Sequence, residues 1–417
     1  MPDTLNIGLI GCGRIMDAHL NAFQKLQQVG VNHFRITALC ARRVEDALRY
    51  RKRGEGPPPR PPIRGLQNDP LVAPHLYVSD LHDDVEVEIY TDYREMIAHA
   101  KIDAVDIYSS LFTHHDMACA ALAAGKHVMV EKPMAVSVKA ARRMCEAAAE
   151  AGKVLSVAEC ARYAFDTRAT GWVLRQGLIG ELQMLLQGGV GGLWSPDRVV
   201  ADTPWRHRKV QGGGGGSIDI GVHLFNVLRY LGGEITEVTA VARTFEPVRY
   251  VEDAEGRRVE KVEVDVDDTF MALLGFANGA IGQVNFSWAG HGPPTGLACG
   301  RAFYGSQGCL QGDRILRDDG FQGRVREVFE QQAPAEVKER FFPLGLTDHF
   351  ALQKLDWLRA IETGGTPETN GQEGLEDLAT SFAMLESSVL KRTVTVREVI
   401  SGEVCEYQRE IDEYWGL

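Results

Sequence analysis

The stretch Leu5–Ala22, LNIGLIGCGRIMDAHLNA, limits what this chain can fold into more than any other. Leu5, Ile7, Leu9 and Ile10 form a short apolar run that reads as a buried strand. Gly11 and Gly13 interrupt it, and a helical pattern begins at Ile15 and continues through Leu20 and Phe23. Strand, glycine turn and helix in that order aim backbone N–H groups and a helix N-terminus at one point, which suits the phosphates of a dinucleotide. Gly11 allows the tight turn and Gly13 lets a pyrophosphate approach the backbone, with Arg14 and Ile15 at the helix entry. The third position of the pattern is Met16 rather than Gly or Ala, so looser helix–strand packing is expected there. An ordinary strand–helix turn is the competing reading; the apolar strand directly before the glycines favours the nucleotide.

The second strand, FRITALC at 34–40, ends on Cys40, Ala41, Arg42 and Arg43. A carboxylate at this tip grips a ribose 2′-hydroxyl, whereas an arginine suits a 2′-phosphate. Here two arginines follow the tip, and Glu45 and Asp46 fall inside the next helix. The expected cofactor is therefore NADP or NAD, with NADP used at least as well. The alternative is that Arg42 and Arg43 are solvated helix-start residues.

Alternating strands and helices follow as far as residue 158: strands at 85–90, 104–108, 127–130 and 154–158, helices at 93–100, 113–124 and 137–151. That order implies a parallel, doubly wound sheet. Ser109, His114 and Glu131-Lys132-Pro133 fall at strand C-terminal ends, where ligands of such sheets sit. Residues 49–81, with PPPRPP, read as an irregular surface loop outside both cores. Beyond Glu159 the texture changes. A helix at 168–175 and a strand at 179–186 lead to a glycine-heavy region holding Trp194, Trp205 and Arg206, then five glycines at 212–216 and a helix from about Ser217. Residues 238–310 alternate like antiparallel strands, with a hairpin turn at Ala277-Asn278-Gly279-Ala280. Helices at 350–361 and 375–389 follow, and 393–417 reads as a short tail. A chain of 417 residues fits two domains. Its net charge of −12 argues against nucleic acid or an anionic membrane as partner. The eight cysteines stand singly with no CxxC pair, so neither a zinc site nor a disulfide framework is indicated, and a cytoplasmic location is expected.

Asp219 and His223 lie four residues apart on one helix, which puts both side chains on one face. A carboxylate beside an imidazole fixes its tautomer and raises its proton affinity, as a general acid/base requires. A metal pair lacks a third ligand nearby in sequence, and a plain polar helix face is the other alternative. Lys132, at the edge of a buried strand, can donate to a substrate oxygen and stabilise negative charge.

GCGRIMDAH at 11–19, AGKHVMVEKPM at 124–134 and GGGSIDIGVHLFNVLRYLGG at 214–233 resemble the glucose–fructose oxidoreductase/inositol dehydrogenase/MocA (Gfo/Idh/MocA) family of NAD(P)-dependent oxidoreductases. The resemblance implies an α/β Rossmann domain over 1–158 and an α+β domain over 159–417 with an open, mostly antiparallel sheet that also forms a homodimer or homotetramer interface. It implies reversible hydride transfer between a nicotinamide and a secondary alcohol of a sugar, cyclitol or glycoside. Lys132 would contact nicotinamide and substrate, with a cis bond before Pro133. Asp219 and His223 would orient the substrate and exchange its hydroxyl proton, and Tyr163, Trp205 and Arg206 would line the substrate cleft. Gly11, Gly13, Arg14, Ile15, Ala41, Arg42, Arg43, Ser109, His114, Glu131 and Lys132 would meet the cofactor. Met16, the proline-rich insert and Ser109-Ser110 (often Thr-Pro in the family) depart from the pattern. Rival functions are NAD-dependent glycoside cleavage, a non-catalytic sugar sensor, and a cyclic imine or pyrrole reductase.

Overall fold

The computed structural model describes residues 4–61, 69–191, 203–253, 255–291 and 293–417; Trp194 and the middle of the insert lie outside them. The chain divides into two compact units, one of Met1–Ala135, Ala140–Cys160 and Phe342–Gly374, the other of Val136–Lys139, Ala161–Phe341 and Leu375–Leu417. A single cut at 158/159 is therefore not how the contacts divide. The helix His349–Thr363, far along the chain, packs within the first unit.

The first unit holds six parallel strands: β1 (Leu5–Ile10), β2 (Phe34–Cys40), β3 (Glu88–Tyr90), β4 (Ala104–Ile107), β5 (His127–Glu131) and β6 (Leu155–Ala158). Their spatial order is β3-β2-β1-β4-β5-β6, the doubly wound arrangement, and it reverses between β1 and β4. Helices α1 (Met16–Gln28), α2 (Val44–Arg51), α3 (Tyr93–His99) and α4 (His114–Ala123) belong to the crossovers. The strands are apolar because both sheet faces are covered: Ile7, Leu9, Ile36, Val105, Ile107, Val128 and Val130 are all fully buried. Met16, at the third position of the glycine pattern, is also fully buried. The strand read as 85–90 is shortened to β3.

The insert is a surface loop only in part: residues 52–61 are mostly exposed, but both of its described ends enter the core. Tyr50 and Val78 have no exposed surface, and Tyr77 and His82 are buried as well. Asn21 and Gln27, both on α1, donate to the carbonyls of Pro74 (2.7 Å) and Leu81 (3.0 Å), and His75 Nδ1 pairs with Asp17 at 2.9 Å. Periodicity could not show this, because prolines and short 3₁₀ turns at Pro70–Val72 and Val78–Asp80 bury single side chains without a repeat.

The second unit is built on a nine-stranded sheet whose strands are β7 (Leu182–Val190), β8 (Ile235–Arg243), β11 (Thr269–Phe276), β12 (Ile281–Ser287), β13 (Thr295–Gly305), β14 (Gly308–Gln311), β15 (Arg314–Arg317), β16 (Gln322–Arg324) and β17 (Val394–Thr395). A separate ribbon pairs β9 (Val248–Glu252) with β10 (Arg258–Glu263). Within the large sheet β7 and β12 run parallel and the other pairs antiparallel. The Asn278-Gly279 turn joins β11 to β12, with Gly279 at φ +85°. Residues 393–417 are no tail. Val394 pairs with Val238, a Thr395/Glu398 capping box starts the helix Val396–Ser401, and Ile411 of the helix Arg409–Trp415 is fully buried. Among the described residues no helix is long and apolar enough to cross a membrane.

At the centre of the first unit Lys354 donates to Asp106, and neither side chain has any exposed surface. Tyr108 donates to the same carboxylate oxygen at 2.6 Å. Burial pushes the Lys354 ammonium below its usual range while the Asp106 charge opposes that shift. Removing one partner leaves a buried uncompensated charge, whereas removing both does not. Lys354→Met alone is expected to cost ~3–5 kcal/mol in chemical denaturation, and Lys354→Met with Asp106→Asn should recover most of that loss. Losses that simply add would show that the two residues are not coupled.

Candidate active site

In the first unit β1 ends at Ile10 and the chain turns at Gly11, which has φ +98°. A Cβ on Gly11 would lie 2.7 Å from the Tyr108 carbonyl carbon and 2.8 Å from Ser109 N, so only glycine lets the turn cross the end of β4. A Cβ on Gly13, by contrast, would meet nothing within 4 Å. That open space above the backbone, ahead of the N-terminus of α1, fits a dinucleotide pyrophosphate. Arg14 and Ile15 lead into α1, and Ala41 N donates to Tyr90 O at 3.1 Å, bringing the ends of β2 and β3 side by side. Arg42 and Arg43 are exposed beyond that tip, and Arg43 Nε donates to Asp46 at 2.9 Å.

The end of β5 carries Glu131 and Lys132, with a cis bond between Lys132 and Pro133. Glu131 Oε2 accepts the Lys132 N–H at 3.0 Å, and its other oxygen meets His19 Nε2 at 2.7 Å. Burial, with Lys354 adding to it, lowers the His19 pKa well below normal, so the neutral ring donates Nε2–H to the carboxylate. His19 also stacks on Tyr108, with ring centroids 4.2 Å apart. The lysine backbone is thus held through Glu131, His19, Tyr108 and Asp106. Sequence reading missed His19, Tyr108, Asp106 and Lys354. The available signal was a histidine and an aspartate at positions the apolar pattern assigns to the core.

His114, expected in the loop after β4, is the first residue of α4, and its ring faces backbone. Nδ1 is 2.9 Å from the Pro133 carbonyl and Nε2 3.0 Å from the Ser109 carbonyl. Burial lowers its pKa, although both carbonyls oppose the shift. His114 therefore staples the Ser109 loop to the segment after Lys132. Ser109 Oγ accepts from Thr113 at 2.8 Å.

In the second unit the glycine run has a local cause. Asp267, just before β11, accepts Gly215 N at 3.0 Å, Ser217 N at 2.9 Å and Ser217 Oγ at 2.6 Å. A Cβ on Gly215 would fall 1.6 Å from the Asp267 carbonyl oxygen, so the two segments touch only because residue 215 is glycine. Burial raises the Asp267 pKa while these donors oppose it. The helix expected from Ser217 is two pieces, Gly216–Asp219 and Gly221–Gly232, meeting at Ile220. Asp219 is buried and accepts Arg206 Nε at 3.3 Å; the Arg206 guanidinium lies 4.3 Å from the Trp205 ring centre. His223 is half-buried on the second piece, and Tyr163 is almost fully buried. Arg206, Trp205 and Asp219 are therefore one cluster, which spacing alone could not show.

A family model described as the oxidoreductase family, NAD-binding Rossmann fold, matches residues 64–159, and one described as the GFO/IDH/MocA C-terminal domain matches residues 168–311. The chain is 27% identical over 336 residues to levoglucosan dehydrogenase of Pseudarthrobacter phenanthrenivorans, covering 74% of this chain and 84% of that protein. It is 26% identical over 398 residues to myo-inositol 2-dehydrogenase of Thermotoga maritima, covering 95% and 100%. Among solved structures, an NAD-binding oxidoreductase from Klebsiella pneumoniae superposes with a TM-score of 0.71 at 26% identity, covering 94% and 99%.

Asp267→Ala leaves two buried backbone N–H groups and a hydroxyl without their acceptor, an expected cost of ~2–5 kcal/mol. Because that acceptor anchors the segment before Asp219, turnover should fall while dinucleotide affinity stays unchanged. Calorimetric titration of cofactor beside steady-state kinetics checks this, and a parallel loss of both would contradict it.

Proposed function

This chain belongs to the Gfo/Idh/MocA family of oxidoreductases, and we propose that it acts on a secondary hydroxyl of a sugar, cyclitol or glycoside, with the roles of its residues as follows. The observation that carries this reading is the Asp219 cluster. A buried carboxylate fixed by Arg206 ends one short helix and a half-buried imidazole stands four residues on, in the first turn of the next, behind a glycine run anchored on Asp267. The Rossmann unit holds the dinucleotide at Gly11, Gly13 and the N-terminus of α1, and the bound nicotinamide supplies the hydride-accepting carbon. His223 takes the substrate hydroxyl proton in oxidation and returns it in reduction. Asp219, itself oriented by Arg206, supports the charged imidazole. Lys132 stabilises the developing alkoxide as an ammonium donor, with its backbone held by Glu131. His114 positions the Ser109 loop. Two of the chain's relatives are named for levoglucosan and myo-inositol, which supports a ring-shaped polyol as substrate.

The cofactor reading favours NADP at least equally with NAD, because Arg42 and Arg43 replace a carboxylate at the β2 tip. The open face of the second unit's sheet supports self-association. Val241, Met271, Leu273 and Ile281 are each more than half exposed on β8, β11 and β12, and Met271 pairs directly with Val241. An apolar face of this kind fits a second copy of the chain, giving a homodimer or homotetramer.

A screen of cyclic polyols with NAD and NADP, followed at the reduced-nicotinamide absorbance band, identifies the substrate. On that substrate His223→Ala should lower turnover ~10²–10⁴-fold with cofactor affinity retained. Near-normal turnover in His223→Ala would remove the histidine from the mechanism. Leu273→Asp with Ile281→Lys should shift the particle mass by light scattering to that of a single chain; an unchanged mass would place any interface elsewhere.

A further inference from the structure

The insert reaches the part of the Rossmann unit where a dinucleotide's ribose belongs. Arg60 donates from Nη2 to Asp46 at 2.9 Å and from Nη1 to Tyr50 Oη at 3.2 Å. Tyr50 in turn donates to the Gly13 carbonyl at 2.8 Å. Two hydrogen bonds therefore lead from the insert to the glycine turn. Arg14, the residue after Gly13, donates to the Pro61 carbonyl at 2.8 Å, so turn and insert are also joined directly.

Asp46 is the point on which the charges meet. One of its oxygens receives Arg60 and the other receives Arg43 Nε at 2.9 Å. Burial raises its pKa, but the Arg43 hydrogen bond and the charges of Arg43, Arg60 and Arg49 outweigh burial and hold it below normal. Glu45 adds a negative charge beside Arg43. Asp17, the other carboxylate near Tyr50, is paired with His75. Asp92, whose charge reaches Cys40 at the β2 tip, caps α3 by accepting Arg94 N at 2.8 Å. Asp46 is thus held by two guanidinium groups, one from α2's own start and one from the insert.

We propose that Arg60 is a cofactor-selecting residue: by occupying Asp46 it leaves the β2 tip cationic and fitted to the 2′-phosphate of NADP rather than to the free ribose of NAD. With Arg60 in place Arg42, Arg43 and Arg60 against Glu45 and Asp46 leave one net positive charge. Without Arg60 the group is neutral, and Asp46 regains an oxygen that can accept a ribose hydroxyl or repel a phosphate. Arg60 acts through Asp46 and is a positioning residue. The inference rests on the NADP reading and deepens it, because it moves part of cofactor choice onto an insert outside the strand–turn–helix pattern.

The test is equilibrium binding by calorimetry of adenosine 2′,5′-bisphosphate and adenosine 5′-monophosphate, with NADPH and NADH beside them. Wild type should prefer the 2′-phosphorylated ligand, more strongly at low salt. Arg60→Ala should lose ~10-fold or more of that preference while 5′-monophosphate affinity is kept, in line with removal of a charge-assisted contact. Adding Asp46→Asn to Arg60→Ala should restore part of it, which a merely structural arginine would not explain. If Arg60→Ala also loses 5′-monophosphate binding, Arg60→Gln, which keeps a donor towards Tyr50, is compared instead and should show the same selective loss. A wild type without preference overturns the NADP reading and this inference with it. A wild-type preference that survives in Arg60→Ala, or in Arg60→Gln where that variant is used, overturns the inference alone.

Discussion

A lysine and an aspartate, both without exposed surface, face one another in the middle of the Rossmann unit, and much of that unit depends on the pair. Two buried charges stay compatible with folding only if each keeps its partner and the remaining lone pairs are met. Asp106 keeps its charge partner in Lys354, and the same carboxylate oxygen also accepts the Tyr108 hydroxyl. The requirement fixes the helix His349–Thr363 against β4, and it fixes the Tyr108 ring on which His19 stacks. His19 then holds Glu131, and Glu131 holds the backbone of Lys132. A residue proposed to stabilise alkoxide charge is thereby placed by a buried ion pair whose two members are 248 residues apart.

The second unit uses a different device for a similar end. One buried carboxylate, Asp267, gathers the N–H groups of a glycine-rich segment that has no side chains to pack. That interaction brings the turn before Asp219 against the start of β11 at a distance only glycine permits. In both units a proposed catalytic side chain stands on a segment whose backbone is held by a carboxylate, Glu131 in one and the buried Asp267 in the other. Precise placement of this kind is what proton transfer and charge stabilisation demand.

The proline-rich insert changes how the cofactor end of the Rossmann unit is understood. Val78 and Tyr77 belong to the core, and Arg60 and Pro61 meet α2 and the glycine turn. Removing Gly54–Pro62 would take away Arg60 together with the carbonyls that receive Arg14 and Arg49, so the segment contributes to the unit rather than decorating it. Prolines suit this task because a chain with few accessible conformations loses little entropy when it is fixed.

Much of this protein was legible before folding. The strand–glycine–helix order at Leu5–Ala22, the alternation as far as residue 158 and the Asn278-Gly279 turn determined a parallel doubly wound sheet followed by an antiparallel one, because local periodicity and turn chemistry are properties of neighbouring residues. Lys132, Asp219 and His223 were marked by motif, and the structure puts Asp219 in contact with Arg206. What only the tertiary structure decided rests on pairings between residues distant in the chain. Lys354 with Asp106, Asp267 with Gly215 and Ser217, and His114 spanning two carbonyls leave no period and no spacing to read. The same holds for the residues after 341 that return to the first unit, and for the buried Val78 in a stretch rich in proline. Burial of a polar group is settled by the partner that meets it, and a sequence shows the group without showing the partner.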